Sequence, residues 1–128
     1  IKMAYGTNEY SALKRECRFY SHALRSLGGI AVPRCHGLFS TEEDGELVGR
    51  LVLDLCPPLR SCTLTSYELS VDSRRIIVAI CKLHSVGVAH RNLDDYHRFV
   101  MQGQSVLIVD FSQARIHNCS GGTPFVKG

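Results

Sequence analysis

Apolar and polar positions change rhythm several times along this chain. Ile1 to Tyr5 is a short apolar stretch carrying one lysine, which predicts a strand, and Gly6-Thr7-Asn8 closes it with turn residues and a helix cap. From Glu9 to Leu27 the residues Leu13, Cys17, Tyr20, Leu24 and Leu27 are spaced four, three, four and three apart. That is the period of an amphipathic helix, and Gly28-Gly29 stops it. Ile30 to Phe39 is β-prone but broken by Pro33 and Gly37, as an irregular or edge strand is. Ser40 to Glu46 reads as a polar, acidic loop. Leu47 to Leu55 resumes as a strand, which Pro57-Pro58 ends because proline cannot donate to a ladder. Two antiparallel strands joined by an acidic tip follow from that order.

Leu59 to Val71 mixes Ser, Thr and Cys with scattered leucines and reads as a connection that includes one helical turn. Asp72 or Ser73 can cap a helix running to about His84. Ile76, Ile80, Leu83 and Gly87 share one face, with Ile77, Cys81 and His84 beside it, an arc wide enough to predict a helix buried in the core. Phe99-Val100-Met101, the turn Gln102 to Ser105, and Val106 to Val109 predict a hairpin whose second strand is buried on both faces. Asp110 stands at the end of that strand. The glycine-containing tail 120–128 is expected to be mobile. The class is α+β.

Length narrows this further: 128 residues suffice for one core and not for two ordinary domains. The net charge of +3 is small and the basic residues form no long run, so no nucleic-acid partner is expected. Lys14, Arg15, Arg18 and Arg25 gather on one predicted helix, where a solvated face is the first reading and a weak acidic partner the second. The six cysteines, Cys17, Cys35, Cys56, Cys62, Cys81 and Cys119, form no Cys-x-x-Cys pair and read as reduced thiols of an intracellular, cytoplasmic protein. No apolar stretch approaches the roughly 20 residues of a membrane helix, and no charged-then-apolar leader opens the chain, so no membrane association is expected. The chain opens with Ile1 inside a predicted strand and is read as a piece of a longer product.

Two segments carry a resemblance. Lys82-Leu-His-Ser-Val-Gly-Val-Ala-His-Arg-Asn-Leu93 resembles the helix end and catalytic loop of protein kinases, and Ile108-Val-Asp-Phe-Ser112 resembles their metal-binding Asp-Phe-Gly segment. The stretch from Asp110 to Cys119 is similar to that of small fungal kinase-like proteins. The resemblance covers residues 1 to about 119. It implies a partial protein-kinase-like domain: the end of the small lobe over 1–55, then hinge, buried helix, catalytic loop and final hairpin over 56–119. By that resemblance Lys2 falls where the family holds the first phosphates, Glu16 where the lysine's ion-pair partner lies, and Asp54 and Cys56 at cofactor-binding positions of the hinge. Asp110 would be the metal ligand, a hard oxygen donor at a strand end facing a crevice. Phe111 would pack between helix and loop, and Ser112 replaces the family's glycine.

The catalytic loop departs from the pattern. Asn92 stands where the proton-accepting aspartate belongs, and a neutral amide cannot take a proton, which removes general-base help worth about 10²–10⁴-fold. Asp94 replaces the lysine that would stabilise the terminal phosphate, although Asp94 or Asp95 could act as a substitute base. His97 replaces the asparagine that would bind a second magnesium, and imidazole suits softer metals. His90 reads as structural, its ring packed beneath the following segment with a nitrogen bonded to backbone.

The expectation is a pseudokinase or regulatory binding module, with ATP and Mg²⁺ bound weakly or not at all. The alternative is a weakly active phosphotransferase retaining Lys2, Glu16 and Asp110. A zinc-type site from His90, His97 and Asp110 is a third reading, without a recognised ligand spacing, and an incomplete or decaying gene product is a fourth. The family's glycine-rich loop, activation segment and later helices have no counterpart here. The open face this leaves on the buried helix predicts a protein partner or a homodimer.

Overall fold

The computed structural model describes residues 1–57, 66–93 and 98–117, with backbone alone for 66–72. It is a mixed α+β arrangement of two α-helices and several small antiparallel sheets. In the larger sheet, β1 (Lys2–Tyr5) and β2 (Cys35–Glu43) flank β3 (Glu46–Leu53), both antiparallel to it. β2 is an edge strand with a bulge between Cys35 and Gly37. The expected acidic loop is not one. Pairing continues to Glu43↔Glu46, leaving only Asp44-Gly45 in the turn, with φ of 52° and 78°. Asp-Gly suits the doubly left-handed two-residue hairpin, and the outward polar residues pair across it. Arg50 Nη2 lies 2.7 Å from Glu43 Oε2, and its Nη1 donates to Thr41 Oγ1 at 3.2 Å.

Helix α1 (Gly6–Ser21) packs across this sheet, starting before the expected Asn8 cap and stopping before Leu27. No side chain caps it; instead the Tyr5 N–H donates to Glu9 Oε1 at 2.8 Å. Beyond Ser21 the chain turns, with the Leu24 N–H bonded to Phe19 O, and enters a 3₁₀ turn at Arg25–Leu27. Leu24 and Leu27 are nevertheless buried. Their spacing reported burial, which a turn delivered in place of a helix. The close approach of α1 to the sheet depends on Gly49, since a Cβ there would stand 2.5 Å from Tyr10 Cδ1.

Helix α2 (Ser66–Ser85) starts six residues before the expected cap, on residues whose sequence mixes Glu and Leu with Ser, Tyr and Val. It is half-buried and not enclosed: Ala79 and Leu83 enter the core, while Ile77 and Val78 remain 59% and 50% exposed. The wide arc of apolar residues therefore exceeds the stripe that the fold covers. Val88–Ala89 (β4) pairs with Arg115–Ile116 (β7), a non-local pair that no periodicity announced. Phe99–Gln102 (β5) and Ser105–Ile108 (β6) form the expected hairpin, with Val106, Leu107 and Ile108 buried. The β6 end is tied to the segment before β2 by Ile108 N–H donating to Ala31 O at 2.8 Å. One apolar cluster runs from Leu13, Leu24 and Leu51 through Val32 to Leu83, Ile108 and Phe111. Among the described residues no helix is long and apolar enough to cross a membrane. The tail 120–128 lies outside the described residues.

Candidate functional site

In β1 the side chains alternate, so Lys2 shares the inward face with buried Ala4. On α1, Glu16 follows Leu13 by three and precedes Phe19 and Tyr20 by three and four, which puts a carboxylate inside the buried stripe at 1% exposure. Asp110 follows β6 in a left-handed backbone conformation, φ 67°, and so turns its side chain out of the strand's apolar path. These three meet. Lys2 Nζ lies 2.7 Å from Glu16 Oε1 and 3.2 Å from Asp110 Oδ1. The second Glu16 oxygen accepts from the Phe111 N–H at 2.9 Å, so one carboxylate joins strand, helix and hairpin end.

The residues around Asp110 complete the cluster. Its Oδ1 also accepts from Ser112 Oγ at 2.7 Å and from the Ser112 N–H at 3.3 Å. Its Oδ2 faces Arg98 Nε at 3.3 Å. With the Asn92 amide turned to suit its neighbours, its oxygen accepts from Arg98 Nε at 3.2 Å and Nη2 at 3.0 Å. Arg98 thus bridges Asn92 and Asp110. The sequence reading missed it; the available signal was a cation directly before an apolar hairpin whose far end is an aspartate.

Phe111 is wholly buried, its ring edge-on to Tyr20 at 5.3 Å and to His90 at 4.9 Å. The Tyr20 hydroxyl is buried without a hydrogen-bond partner among the described residues. His90 is structural. Its Nδ1 accepts from the Asn92 N–H at 3.1 Å, so Nε2 carries the proton and donates to Val109 O at 2.8 Å. With both nitrogens used, His90 has none left for a metal, and the His97 member of the His90–His97–Asp110 reading lies outside the described residues. Among the described residues no group of three His, Cys, Asp or Glu could hold a metal ion. Asp94, Asp95 and His97 lie outside the described residues.

Arg15 departs from the solvated-face expectation. Its guanidinium donates to Ser112 O at 3.2 Å and to Ala114 O, and it lies over the Phe19 ring at 5.2 Å. Lys14, Arg18 and Arg25 are exposed, as that reading had them. Asp54 accepts from or pairs with His36 Nε2 at 2.7 Å, and Cys56 Sγ contacts Asp54 O at 3.9 Å. Among the described residues no contact links Asp54 or Cys56 to the Lys2 cluster. Cys17, Cys35, Cys56 and Cys81 are free thiols, and Cys62 and Cys119 lie outside the described residues.

Burial opposes the charge of Asp110, but the Ser112 hydrogen bonds and the Lys2 ammonium outweigh it and hold the carboxyl at about 2. Burial would likewise lower Lys2, and the Glu16 and Asp110 carboxylates instead raise it above its ordinary 10.5. Burial lowers His90 below 6.5 against the pull of the Val109 carbonyl. The signs set an acid profile for stability. Below pH 6.5 the unfolded chain gains a proton that folded His90 refuses, so its contribution is complete above 6.5 and falls as the pH drops toward the lowered folded value. The Asp110 contribution is complete above 3.8 and is lost as the pH falls through about 2. Urea unfolding at successive pH values is expected to show both stages, with Asp110→Asn flattening the second. A midpoint that rises on acidification would contradict this.

No protein-family model matches the chain, and no curated protein matches it.

Proposed function

We propose that this chain is part of a protein-kinase-like domain acting as a pseudokinase, a regulatory or binding module with at most weak ATP binding. One observation carries the reading: Lys2, Glu16 and Asp110, which lie 14 and 108 positions along the chain from the lysine, converge within ion-pair distance. A part-buried ion network is seldom the cheapest way to stabilise a fold, because well-packed apolar residues do as well or better. The Lys2 ammonium, 40% exposed beside a carboxylate of low pKa, is suited to hold an anion.

Proton transfer has no support from the described residues. The Asn92 amide has no basic site, and its oxygen is committed to Arg98. Glu16 is buried with both oxygens bonded, and an Asp110 carboxyl near 2 is too weak a base at neutral pH. The intact Lys2–Glu16–Asp110 set favours one second reading, a weak phosphotransferase. The exposed Ile77 and Val78 on α2 are compatible with a covering protein partner or a second copy.

Calorimetric titration with ATP, followed by a phosphate-transfer assay on a generic protein substrate, separates the readings. Binding in about the 0.1–1 mM range without transfer, abolished by Lys2→Met, is the expected result. Transfer that disappears in Asp110→Ala would establish the phosphotransferase instead. Absence of any ATP binding would remove the nucleotide part of the proposal.

A further inference from the structure

A kinase-type site would hold its nucleotide through a divalent cation on the carboxylate of Asp110, and the residues present do not fit one. Oδ1 already receives Lys2 Nζ, Ser112 Oγ and the Ser112 N–H, while Oδ2 faces the Arg98 guanidinium. Each carboxylate oxygen offers about two lone-pair positions: three donors crowd Oδ1, and Oδ2 has one left besides the one that faces the guanidinium. A magnesium ion in a nucleotide site needs only one or two carboxylates beside phosphates and water, so the group that faces Oδ2 decides whether one can be held. A doubly charged ion brought to Oδ2 would meet a guanidinium at hydrogen-bond distance, where the repulsion is large.

Arg98 is built into that place. It immediately precedes β5, while Asp110 lies just beyond β6, so the hairpin register brings the two together at its open end. The Arg98 carbonyl accepts from the Val109 N–H at 2.9 Å, which fixes its backbone beside Asp110. The side chain is held a second time by the Asn92 oxygen. Its Nη1 meets no acceptor among the described residues and, with Lys2 Nζ across the same carboxylate, presents donors suited to a phosphate oxygen.

We propose that the Arg98 guanidinium takes the place of a divalent cation at Asp110, so that this site binds no metal there and accepts the phosphates of a nucleotide without one. The nucleotide half rests on the kinase-like reading above; the cation half rests on the contacts of Arg98 alone.

Two titrations test it, with folding of each variant checked by circular dichroism. The first follows Mn²⁺ alone by electron paramagnetic resonance. The wild type and the charge-keeping Arg98→Lys are expected to show no site that depends on Asp110. Arg98→Met is expected to gain one, lost again when Asp110→Asn is added. The second compares ATP and inorganic tripolyphosphate in EDTA and in Mg²⁺. Wild-type affinity is expected to agree within about twofold between the two buffers. Arg98→Met is expected to weaken about tenfold or more in EDTA, the scale of a lost charge-assisted hydrogen bond, and to recover with Mg²⁺. A wild-type Mn²⁺ site abolished by Asp110→Asn overturns the proposal, as does wild-type ATP binding that requires Mg²⁺. If neither phosphate ligand binds in either buffer while the Mn²⁺ pattern holds, the kinase-like nucleotide reading fails and the cation assignment stands. Should Arg98→Lys acquire the Mn²⁺ site, the cation assignment fails irrespective of nucleotide.

Discussion

Replacing Glu16 with alanine is expected to cost about 2–4 kcal/mol of folding stability, less than breaking a fully buried ion pair because Lys2 is partly exposed and keeps Asp110. The side chain is 1% exposed and has no water to replace its partners. Its loss strips the Phe111 N–H of an acceptor and leaves Lys2 with Asp110 alone. Glu16→Gln should lose less, about 1–3 kcal/mol, because an amide oxygen can still accept from that N–H. Urea denaturation of both variants is the measurement. Natural domains are stable by only about 5–15 kcal/mol, so the alanine variant is expected to be partly unfolded near 37 °C. A loss below about 1 kcal/mol for Glu16→Ala would mean the carboxylate is not buried and paired as described.

Phe111→Ala should be comparably damaging, at about 3–5 kcal/mol. The ring is fully enclosed, and its two edge-on neighbours, Tyr20 from α1 and His90 from the loop after β4, belong to different parts of the chain. Each aromatic contact adds about 0.5–1.5 kcal/mol beyond burial, so Phe111→Leu, which keeps most of the volume, should recover most but not all of the loss. Guanidinium melts of the pair decide it. Equal losses for leucine and alanine would show that neither volume nor ring geometry matters there.

How far these features could be read beforehand depends on how local their causes are. The β5–β6 hairpin was legible because a continuous apolar run and a four-residue turn are local signals. The β2–β3 hairpin was read as longer-looped than it is. Its outer residues, Thr41, Glu42, Glu43 and Glu46, face water, and only the Asp44-Gly45 pair betrays the tight turn. Leu24 and Leu27 carry helical spacing, yet a turn and a 3₁₀ segment bury them just as well, so periodicity located the core and misjudged the backbone. The two-residue β4–β7 pair is held by partners 26 and 28 positions apart and has no sequence signature.

The site divides the same way. Lys2, Glu16 and Asp110 were found through order and resemblance, not through any one residue's neighbours. Arg98 and Arg15 were missed because each acts on groups brought near by tertiary structure: Asp110 and Asn92 for one, the carbonyls of Ser112 and Ala114 for the other. A cation on a helix or before a strand is ordinarily solvated, and only the folded chain distinguishes the exceptions.

Glu16 and the Phe111 amide are 95 residues apart. A clasp of that span repays nothing until nearly the whole intervening chain has been arranged, so it closes late in folding and slowly, after the local hairpins and helices have formed. Once shut, it ties the helix that follows the first strand to the end of the last hairpin, so neither can leave without breaking that bond.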